Sequence, residues 1–232
     1  HPRIRNCVVR YGTGNIAEGP AMTREECVQA ILTGVDTVRD LKAEGYDLIV
    51  TGEMGIGNTT TSSACAAVLF DQAPEVVTGR GAGLSTEGLN KKVRAIERAI
   101  EVNHPDKTDA IDVISKVGGL DIAGMVGCYL GAAYYHLPIL IDGFISAISA
   151  YLAGMLSKTA KEYMISTHGS AEPAAKLVME HLGMQAPIQA GMHLGEGTGA
   201  IMGLSLIDQG LNVYYHVATW DGAHVEAYTH QK

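Results

Sequence analysis

Three glycine-rich segments of the chain hold the side chains best suited to chemistry. The first, residues 191–203, reads GMHLGEGTGAIMG and places one carboxylate, Glu196, between glycines at the start of an apolar helix. Glycines at a helix start let an anionic ligand approach the backbone amides, but the charge of Glu196 would repel that ligand. We therefore interpret Glu196 as a base or as a polar anchor for an uncharged substrate. A helix-capping carboxylate is the equally open structural alternative.

The second segment, residues 52–60, reads GEMGIGNTT and fits the Walker A frame GxxxxGK[ST] except at Asn58, which stands where the lysine belongs. Because that lysine neutralises the terminal phosphates, hydrolysis of a nucleoside triphosphate is not predicted. A backbone cradle for a single phosphate monoester is still expected. The alternative is a turn that needs glycines for packing alone. Glu53, a charged residue directly after a predicted buried strand, favours the ligand site.

The third segment, residues 79–83, reads GRGAG and contains Arg80, and Lys92 follows about two turns into the next helix. A bound phosphate needs such cations, although a solvent-exposed face formed by Lys91 and Lys92 is the alternative for each lysine alone. Asp121 is interpreted as a helix cap, and Asp142 is either a turn residue or a site residue.

The histidines show no HxxxH or HExxH spacing, so no metal site is predicted. His168 and His193 lie near predicted strand ends and could contact a ligand, although we interpret them as ordinary loop histidines. The glycines of residues 197–203 follow the order GxGxxxG, which lacks the GxGxxG order and the downstream acid of a dinucleotide fingerprint. A dinucleotide-dependent oxidoreductase is therefore kept only as an alternative function.

Alternating strands and helices are predicted to position these segments. The strands are predicted at residues 4–9, 47–51, 137–141, 163–166 and 187–190, and residues 168–170 are predicted as an exit loop. The helices are predicted at residues 23–45, 59–70, 86–103, 109–117, 122–135, 145–156, 172–182 and 198–209. This pattern predicts an α/β fold, a doubly wound, Rossmann-like parallel sheet with flanking helices and a site along the carboxyl edge of its strands.

Composition restricts the classes of partner. The chain has 232 residues, a formal charge of −8 and a hydrophobic fraction of 47%, which predict a large core and no nucleic-acid partner. The most apolar stretch, residues 137–156, is interrupted by Asp142 and Gly143, so no membrane span is expected. Four cysteines without a CxxC motif predict reduced thiols and a cytoplasmic location. We expect an α/β domain over residues 1–209 and a tail over residues 210–232 that packs on it or on a partner.

Seven segments in order carry a resemblance to a known family: AMTREECVQAI, GEMGIGNTTTSSA, GRGAGL with Lys92, GGLDIAG, LIDGF, HGSAEP and LGEGTGA. Together they closely resemble the nicotinate-nucleotide:dimethylbenzimidazole phosphoribosyltransferases of cobalamin lower-ligand assembly, from about Gly12 to the ATWDGA segment. The family transfers ribose 5-phosphate from nicotinate mononucleotide to a benzimidazole-type base. The resemblance implies that Glu196 is the general base. It implies substrate contacts from Glu53, Gly55, Gly81, Ala82, Lys92, Asp121, Asp142 and Ser170, with Leu194 against the base.

The resemblance also implies the partners of the chain. The substrates are expected to be nicotinate mononucleotide and a benzimidazole-type base, with no cofactor, and the assembly a homodimer or a related heterodimer. Family members are longer, so part of a small helical domain is expected before His1. A noncatalytic nucleotide-binding subunit, or a fragment of such an enzyme, is the alternative that this length difference favours.

Overall fold

The computed structural model describes residues 4–226 and residue 229. Within them the chain forms nine α-helices, one 3₁₀ helix and five short strands. Their order is α1 Arg24–Ala43, β1 Ile49–Val50, α2 Asn58–Leu69, α3 Pro74–Val77, α4 Thr86–Asn103, α5 Ala110–Val117, α6 Leu120–Tyr134, β2 Ile139–Ile141, α7 Phe144–Leu156, the 3₁₀ helix Lys158–Tyr163, β3 Met164–Ser166, β4 His168–Ser170, α8 Ala175–Leu182, β5 Ile188–Met192 and α9 Thr198–His216.

All strand pairs are parallel, which confirms the predicted α/β class. The strands form two small sheets, one in the order β1-β2-β3 and one in the order β4-β5. Thr167 joins the two sheets. Directly before it in the chain, β3 pairs with β2. The Thr167 carbonyl accepts a hydrogen bond from the amide of Ile188, the first residue of β5, at 3.1 Å. Because all strands run the same way, their carboxyl ends lie on a common side, where ligands bind in such folds.

Capping side chains define the starts of three helices, α1, α4 and α5. Thr23 and Glu26 form the predicted capping box at the start of α1, and the predicted bounds of α4 are confirmed. The side chain of Asp109 caps α5 by accepting hydrogen bonds from the amides of Ile111 and Asp112. The capping residues therefore fix where these helices begin.

Helices α1 and α6 pack backbone against backbone. A Cβ atom built on Gly127 would lie 1.9 Å from the carbonyl oxygen of Ile31, and one built on Gly34 would lie 2.1 Å from the carbonyl oxygen of Gly124. No side chain fits at either point. Glycine is therefore required at this crossing for close approach.

Four predictions about local structure are wrong. Residues 4–9 form no strand, since no strand among the described residues pairs with them, and Arg5 instead pairs with Asp40 on α1 and with Glu44 directly after that helix. Residues 168–170, predicted as an exit loop, form β4 because β5 supplies a partner. Asp121 is no helix cap, since Gly119 precedes the first turn of α6 and Asp121 lies inside it.

The fourth wrong prediction concerns the end of α9, placed by the sequence at Gln209. The helix continues through Gly210 to His216, because an exposed glycine inside a helix costs only about 1 kcal/mol. It therefore crosses the predicted boundary at residue 209. The division into residues 1–209 and a tail stays a prediction, and residues 227, 228 and 230–232 of that tail lie outside the described residues, as do residues 1–3.

Among the described residues, no helix combines the length and the apolar character that a membrane span needs.

Candidate active site

A cavity of about 680 Å³ lies at the carboxyl ends of the strands. Its wall is formed by the loop after β1, the 81–83 loop, the residues after β2, the strand β4 and the loop before α9. This volume suits a small organic ligand. Eight of the predicted site residues line it: Glu53, Gly55, Gly81, Ala82, Asp142, Ser170, Leu194 and Glu196.

Lys92 and Asp121, the other two predicted site residues, contact residues of the cavity wall from behind. The ammonium of Lys92 donates hydrogen bonds to Thr59 Oγ1 at 3.0 Å and to the Gly79 carbonyl at 2.9 Å. Asp121 Oδ2 accepts one from Asn58 Nδ2 at 2.9 Å. Thr59 and Asn58 line the cavity. The structure therefore brings all ten predicted residues to one site. Eight line the cavity, whereas Lys92 and Asp121 contact the lining residues Thr59 and Asn58.

The loop between β1 and α2 presents Glu53 to the cavity. Gly57 precedes α2 with a φ of +82°, and no side chain caps the helix start. The Glu53 carboxylate accepts a hydrogen bond from Asn58. Burial raises the pKa of Glu53; the Asn58 hydrogen bond opposes this, and the negative charges of Asp121 and Asp142 add to it. Glu53 is thus a carboxylate held in an unfavourable environment, as catalytic acids and bases often are.

Lys92 is buried in the layer behind the 79–83 loop. Burial lowers the pKa of its ammonium, and the nearby charge of Glu172 partly opposes that effect. The neighbouring Lys91 is exposed and pairs with Glu87 on the same helix. The predicted alternative of a solvent-exposed lysine face therefore holds for Lys91 and is wrong for Lys92. Arg80 donates instead to the Leu84 carbonyl and to Thr86 Oγ1.

The loop before α9 holds Glu196 in the left-handed region, with a φ of +58°, between Gly195 and Gly197. A side chain with this backbone conformation is strained, which is typical of residues whose direction matters. Glu196 is exposed and lines the cavity. A Cβ atom built on Gly195 would lie 2.9 Å from Glu53 Oε1, so the loops carrying the two glutamates are in contact.

Asp142 occupies the helix start that the sequence analysis considered for an anionic ligand. Its carboxylate accepts hydrogen bonds from the amides of Gly197, Gly199 and Ala200 at 2.8–3.0 Å. The residue is only 3% exposed. The start of α9 is therefore already bound to a carboxylate of the chain itself, whereas the starts of α2 and α7 also lie at the cavity and have no side-chain cap.

His168 was not among the predicted site residues, although the sequence left a ligand contact open as the alternative. It is buried in β4 beneath Gly199, lines the cavity, and its Nδ1 lies 4.0 Å from Asp142 Oδ1. Burial lowers the pKa of the imidazole, and the charge of Asp142 partly opposes this. The interpretation as an ordinary loop histidine is wrong for His168, whereas His193 is exposed on the cavity rim. Only the position of His168 after a predicted strand pointed to it.

A buried hydroxyl network lies beneath the cavity. Tyr129 Oη lies 3.0 Å from Thr51 Oγ1 and 2.7 Å from Ser146 Oγ, and Ser146 Oγ accepts a hydrogen bond from the Asp142 amide at 3.2 Å. Thr51 Oγ1 also donates to the Leu140 carbonyl at 2.8 Å. The network fixes the end of β1 against the end of β2, which carry Glu53 and Asp142. No spacing in the sequence indicated it.

Within the described residues, no three or more His, Cys, Asp or Glu side chains are grouped so that they could hold a metal ion. The arrangement offers instead two carboxylates, Glu53 and Glu196, in one cavity, with an uncapped helix start beside them. Such a site can hold a phosphate and move a proton.

Comparison with known proteins agrees with this geometry. A family model described as phosphoribosyltransferase matches residues 2–225. The nicotinate-nucleotide--dimethylbenzimidazole phosphoribosyltransferase of Acetivibrio thermocellus is 50% identical over 96% of this chain, and that of Ruminiclostridium cellulolyticum is 47% identical over 98%. In both cases the chain spans 64% of the relative's length.

A solved structure extends the likeness to three dimensions. The crystal structure of the enzyme of the same name from Thermus thermophilus superposes with a TM-score of 0.90 at 36% identity, covering 98% of this chain and 67% of that one. Likeness in sequence and in fold thus covers the same nearly complete stretch of the chain. The chain belongs to the nicotinate-nucleotide:dimethylbenzimidazole phosphoribosyltransferase family.

Proposed function

We propose that the chain carries the active site of a pentosyltransferase that transfers ribose 5-phosphate from nicotinate mononucleotide to 5,6-dimethylbenzimidazole or a related base. The products are α-ribazole 5'-phosphate and nicotinate, as needed to assemble the nucleotide loop of a cobamide. The observation that carries the proposal is the position of Glu196. This carboxylate is held at positive φ on the rim of a cavity whose wall includes the uncapped start of α2.

The start of α2 is the proposed phosphate site. Its amides have no side-chain cap, Gly57 lets a ligand approach closely, and a helix N-terminus favours an anion. Lys92 stabilises this wall through hydrogen bonds to Thr59 and to the Gly79 carbonyl, and it supplies a positive charge behind the wall. Binding the phosphate here would fix the anomeric carbon of the ribose relative to Glu196.

Glu196 is the proposed general base. One ring nitrogen of the benzimidazole attacks the anomeric carbon while the other loses its proton to the Glu196 carboxylate. The bond from that carbon to the nicotinate nitrogen breaks, nicotinate leaves with the electron pair, and the configuration inverts. Leu194, 66% exposed on the same rim, offers an apolar contact to the incoming base.

Glu53 is the proposed partner of the ribose. Positive charge builds on the ribose as nicotinate leaves, and a nearby carboxylate stabilises it. Asp142 is less suited to this role because its oxygens already accept three backbone hydrogen bonds. Gly55, Gly81, Ala82 and Ser170 line the cavity around Glu53 and are proposed substrate contacts.

We also propose a cytoplasmic location and a homodimer or a related heterodimer. The four cysteines are all free, which suits a reducing compartment. Helix α9 exposes large apolar side chains along its length, including Ile201, Leu206 and Tyr214. An apolar face of this kind favours a protein partner. Sedimentation of the purified chain at several concentrations tests the dimer.

Nicotinate release tests the reaction. The chain is incubated with nicotinate mononucleotide and 5,6-dimethylbenzimidazole, and Glu196→Gln is compared with Glu97→Gln, a variant of an exposed glutamate on α4. We expect release by the wild type and by Glu97→Gln, and a loss on the order of a hundredfold or more in Glu196→Gln. Substrate binding without release by the wild type would support the noncatalytic subunit instead. Protection from unfolding by NAD(H) alone would support an oxidoreductase.

A further inference from the structure

Asn58 joins two carboxylates that come from different parts of the chain. It is the first residue of α2 and is 9% exposed. Its side-chain nitrogen donates to Glu53 Oε2 and to Asp121 Oδ2, the latter at 2.9 Å. A primary amide has two N–H groups, so both donors of Asn58 are used by these acids.

The neutral charge of Asn58 distinguishes it from the lysine of the Walker A frame. No lysine, arginine or histidine within the described residues forms an ion pair with Glu53 or Asp121. A lysine at position 58 would neutralise part of their charge and favour ionisation of Glu53. An amide orients both carboxylates and adds no charge. An asparagine in place of the Walker lysine therefore orients Glu53 and Asp121 without neutralising their charge.

The hydrogen bond from Asn58 also decides which oxygen of Glu53 is available. It engages Oε2, whereas Oε1 lies beside Gly195, with 2.9 Å to a Cβ atom built there. Asp121 lies behind the cavity wall, where a Cβ atom built on Gly55 would lie 2.4 Å from Asp121 Oδ2. Asp121 thus supports both Asn58 and the loop that carries Glu53.

We propose that Asn58, itself held by Asp121, is a positioning residue that fixes the Glu53 carboxylate against the loop of Glu196. Asp121 then acts on the substrate only through Asn58 and Glu53. This inference rests on the proposed function for its effect on turnover, but its effect on Glu53 is independent of turnover.

The first test measures the titration of Glu53 by carboxyl carbon NMR in the full chain. The charges that act on the pKa of Glu53 are Asp121 from α6 and Asp142 after β2, and the other titratable side chains that line the cavity are His168, Glu172, His193 and Glu196. Asn58→Ala removes a hydrogen bond to the ionised form and should raise the Glu53 pKa. Asn58→Lys and Asp121→Asn should both lower it, the first by adding a positive charge and the second by removing a negative one.

Shifts of opposite sign separate this role from a general loss of structure, which would move all variants the same way. Asn90→Ala, at an exposed asparagine of α4, serves as the matched control and should leave the Glu53 titration unchanged. If Asn58→Ala does not fold, Asn58→Leu, which keeps the size of the side chain but removes both N–H groups, should raise the Glu53 pKa in the same way. An unchanged Glu53 pKa in whichever of Asn58→Ala and Asn58→Leu folds would overturn the proposal.

Kinetics provide the second test. In Asn58→Ala we expect kcat to fall on the order of a hundredfold with little change in KM for nicotinate mononucleotide, because the mononucleotide is bound while Glu53 is misplaced. If the wild type releases no nicotinate but the variants show the expected shifts of the Glu53 pKa, the proposed function is refuted and the positioning role stands. Normal release by the wild type and by Asn58→Ala, without the shifts, would refute the positioning role alone.

Discussion

The carboxylate of Asp142 accepts a hydrogen bond from the amide of Gly197 at 3.0 Å, directly after the proposed base Glu196. Two further bonds, from Gly199 and Ala200, bind the same carboxylate to the first turn of α9. Beyond Gly203, the residues of this helix are intermediate or exposed rather than buried. The direction of Glu196 therefore depends on a buried acid at the end of β2.

Asp142→Asn should weaken this attachment. The substituted amide presents an N–H group to backbone N–H groups, so at least one buried donor loses its acceptor, which costs about 2 kcal/mol. Urea denaturation should show this loss, and nicotinate release should fall with it because Glu196 is no longer held. Asp208→Asn, at an exposed aspartate of the same helix, is the control and should change neither quantity. Full stability and activity in Asp142→Asn would mean that α9 is held by other contacts.

His168 should make the stability of the protein depend on pH. Burial lowers its pKa in the folded state, so between that value and the ordinary histidine pKa the unfolded chain binds more protons than the folded one. The free energy of unfolding that depends on neutral His168 is therefore fully present above the ordinary histidine pKa. It is lost as the pH falls toward the pKa of His168 in the folded state. Urea denaturation at a series of pH values should show this decline.

A matched pair of variants assigns that decline to His168. His168→Gln removes the group and should flatten the curve, whereas His216→Gln, at the exposed end of α9, should leave it unchanged. NMR titration of the His168 ring in the wild type gives the same answer without a substitution. A ring that titrates at or above the ordinary histidine value would contradict the prediction.

Much of the fold could be predicted from the sequence because local patterns determine it. The capping box of Thr23 and Glu26 and the apolar periodicity of α4 act within a few residues, and both were predicted correctly. Glu53 and Glu196 were predicted to share a site because each lies near glycines after a predicted strand. The structure places both on one cavity.

The contacts that support the site could not be predicted in the same way. The hydrogen bonds that Asp142 accepts from the start of α9, and that Asp121 accepts from Asn58, join residues 55 or more positions apart, and neither leaves a local pattern. The strand β4 likewise depends on β5, which follows it after a helix. A single sequence indicates which residues are unusual, but their partners depend on tertiary packing.

Lys92 and Lys91 are adjacent lysines with opposite environments, which makes them a direct test of the phosphate site. Lys92→Gln should raise KM for nicotinate mononucleotide by about tenfold to a hundredfold, since it removes the positive charge behind the proposed phosphate site and the hydrogen bonds that hold Thr59 and the Gly79 carbonyl in place. Lys91→Gln should have no effect, because Lys91 is exposed and pairs with Glu87 on the same helix. Steady-state kinetics of both variants measure KM for nicotinate mononucleotide, and equal changes in KM would show that Lys92 is not part of the proposed phosphate site.

The crossing of α1 and α6 offers a test of the fold that is independent of the chemistry. Gly127→Ala should destabilise the protein by about 3 kcal/mol, because the added methyl group overlaps the Ile31 carbonyl and the two helices must separate. Gly124 lies on the same helix, and a Cβ atom built there meets nothing within 4 Å. Gly124→Ala should therefore stabilise the helix by about 0.5–1 kcal/mol. Thermal denaturation measures both, and equal effects of the two substitutions would show that the helices are not in backbone contact at Gly127.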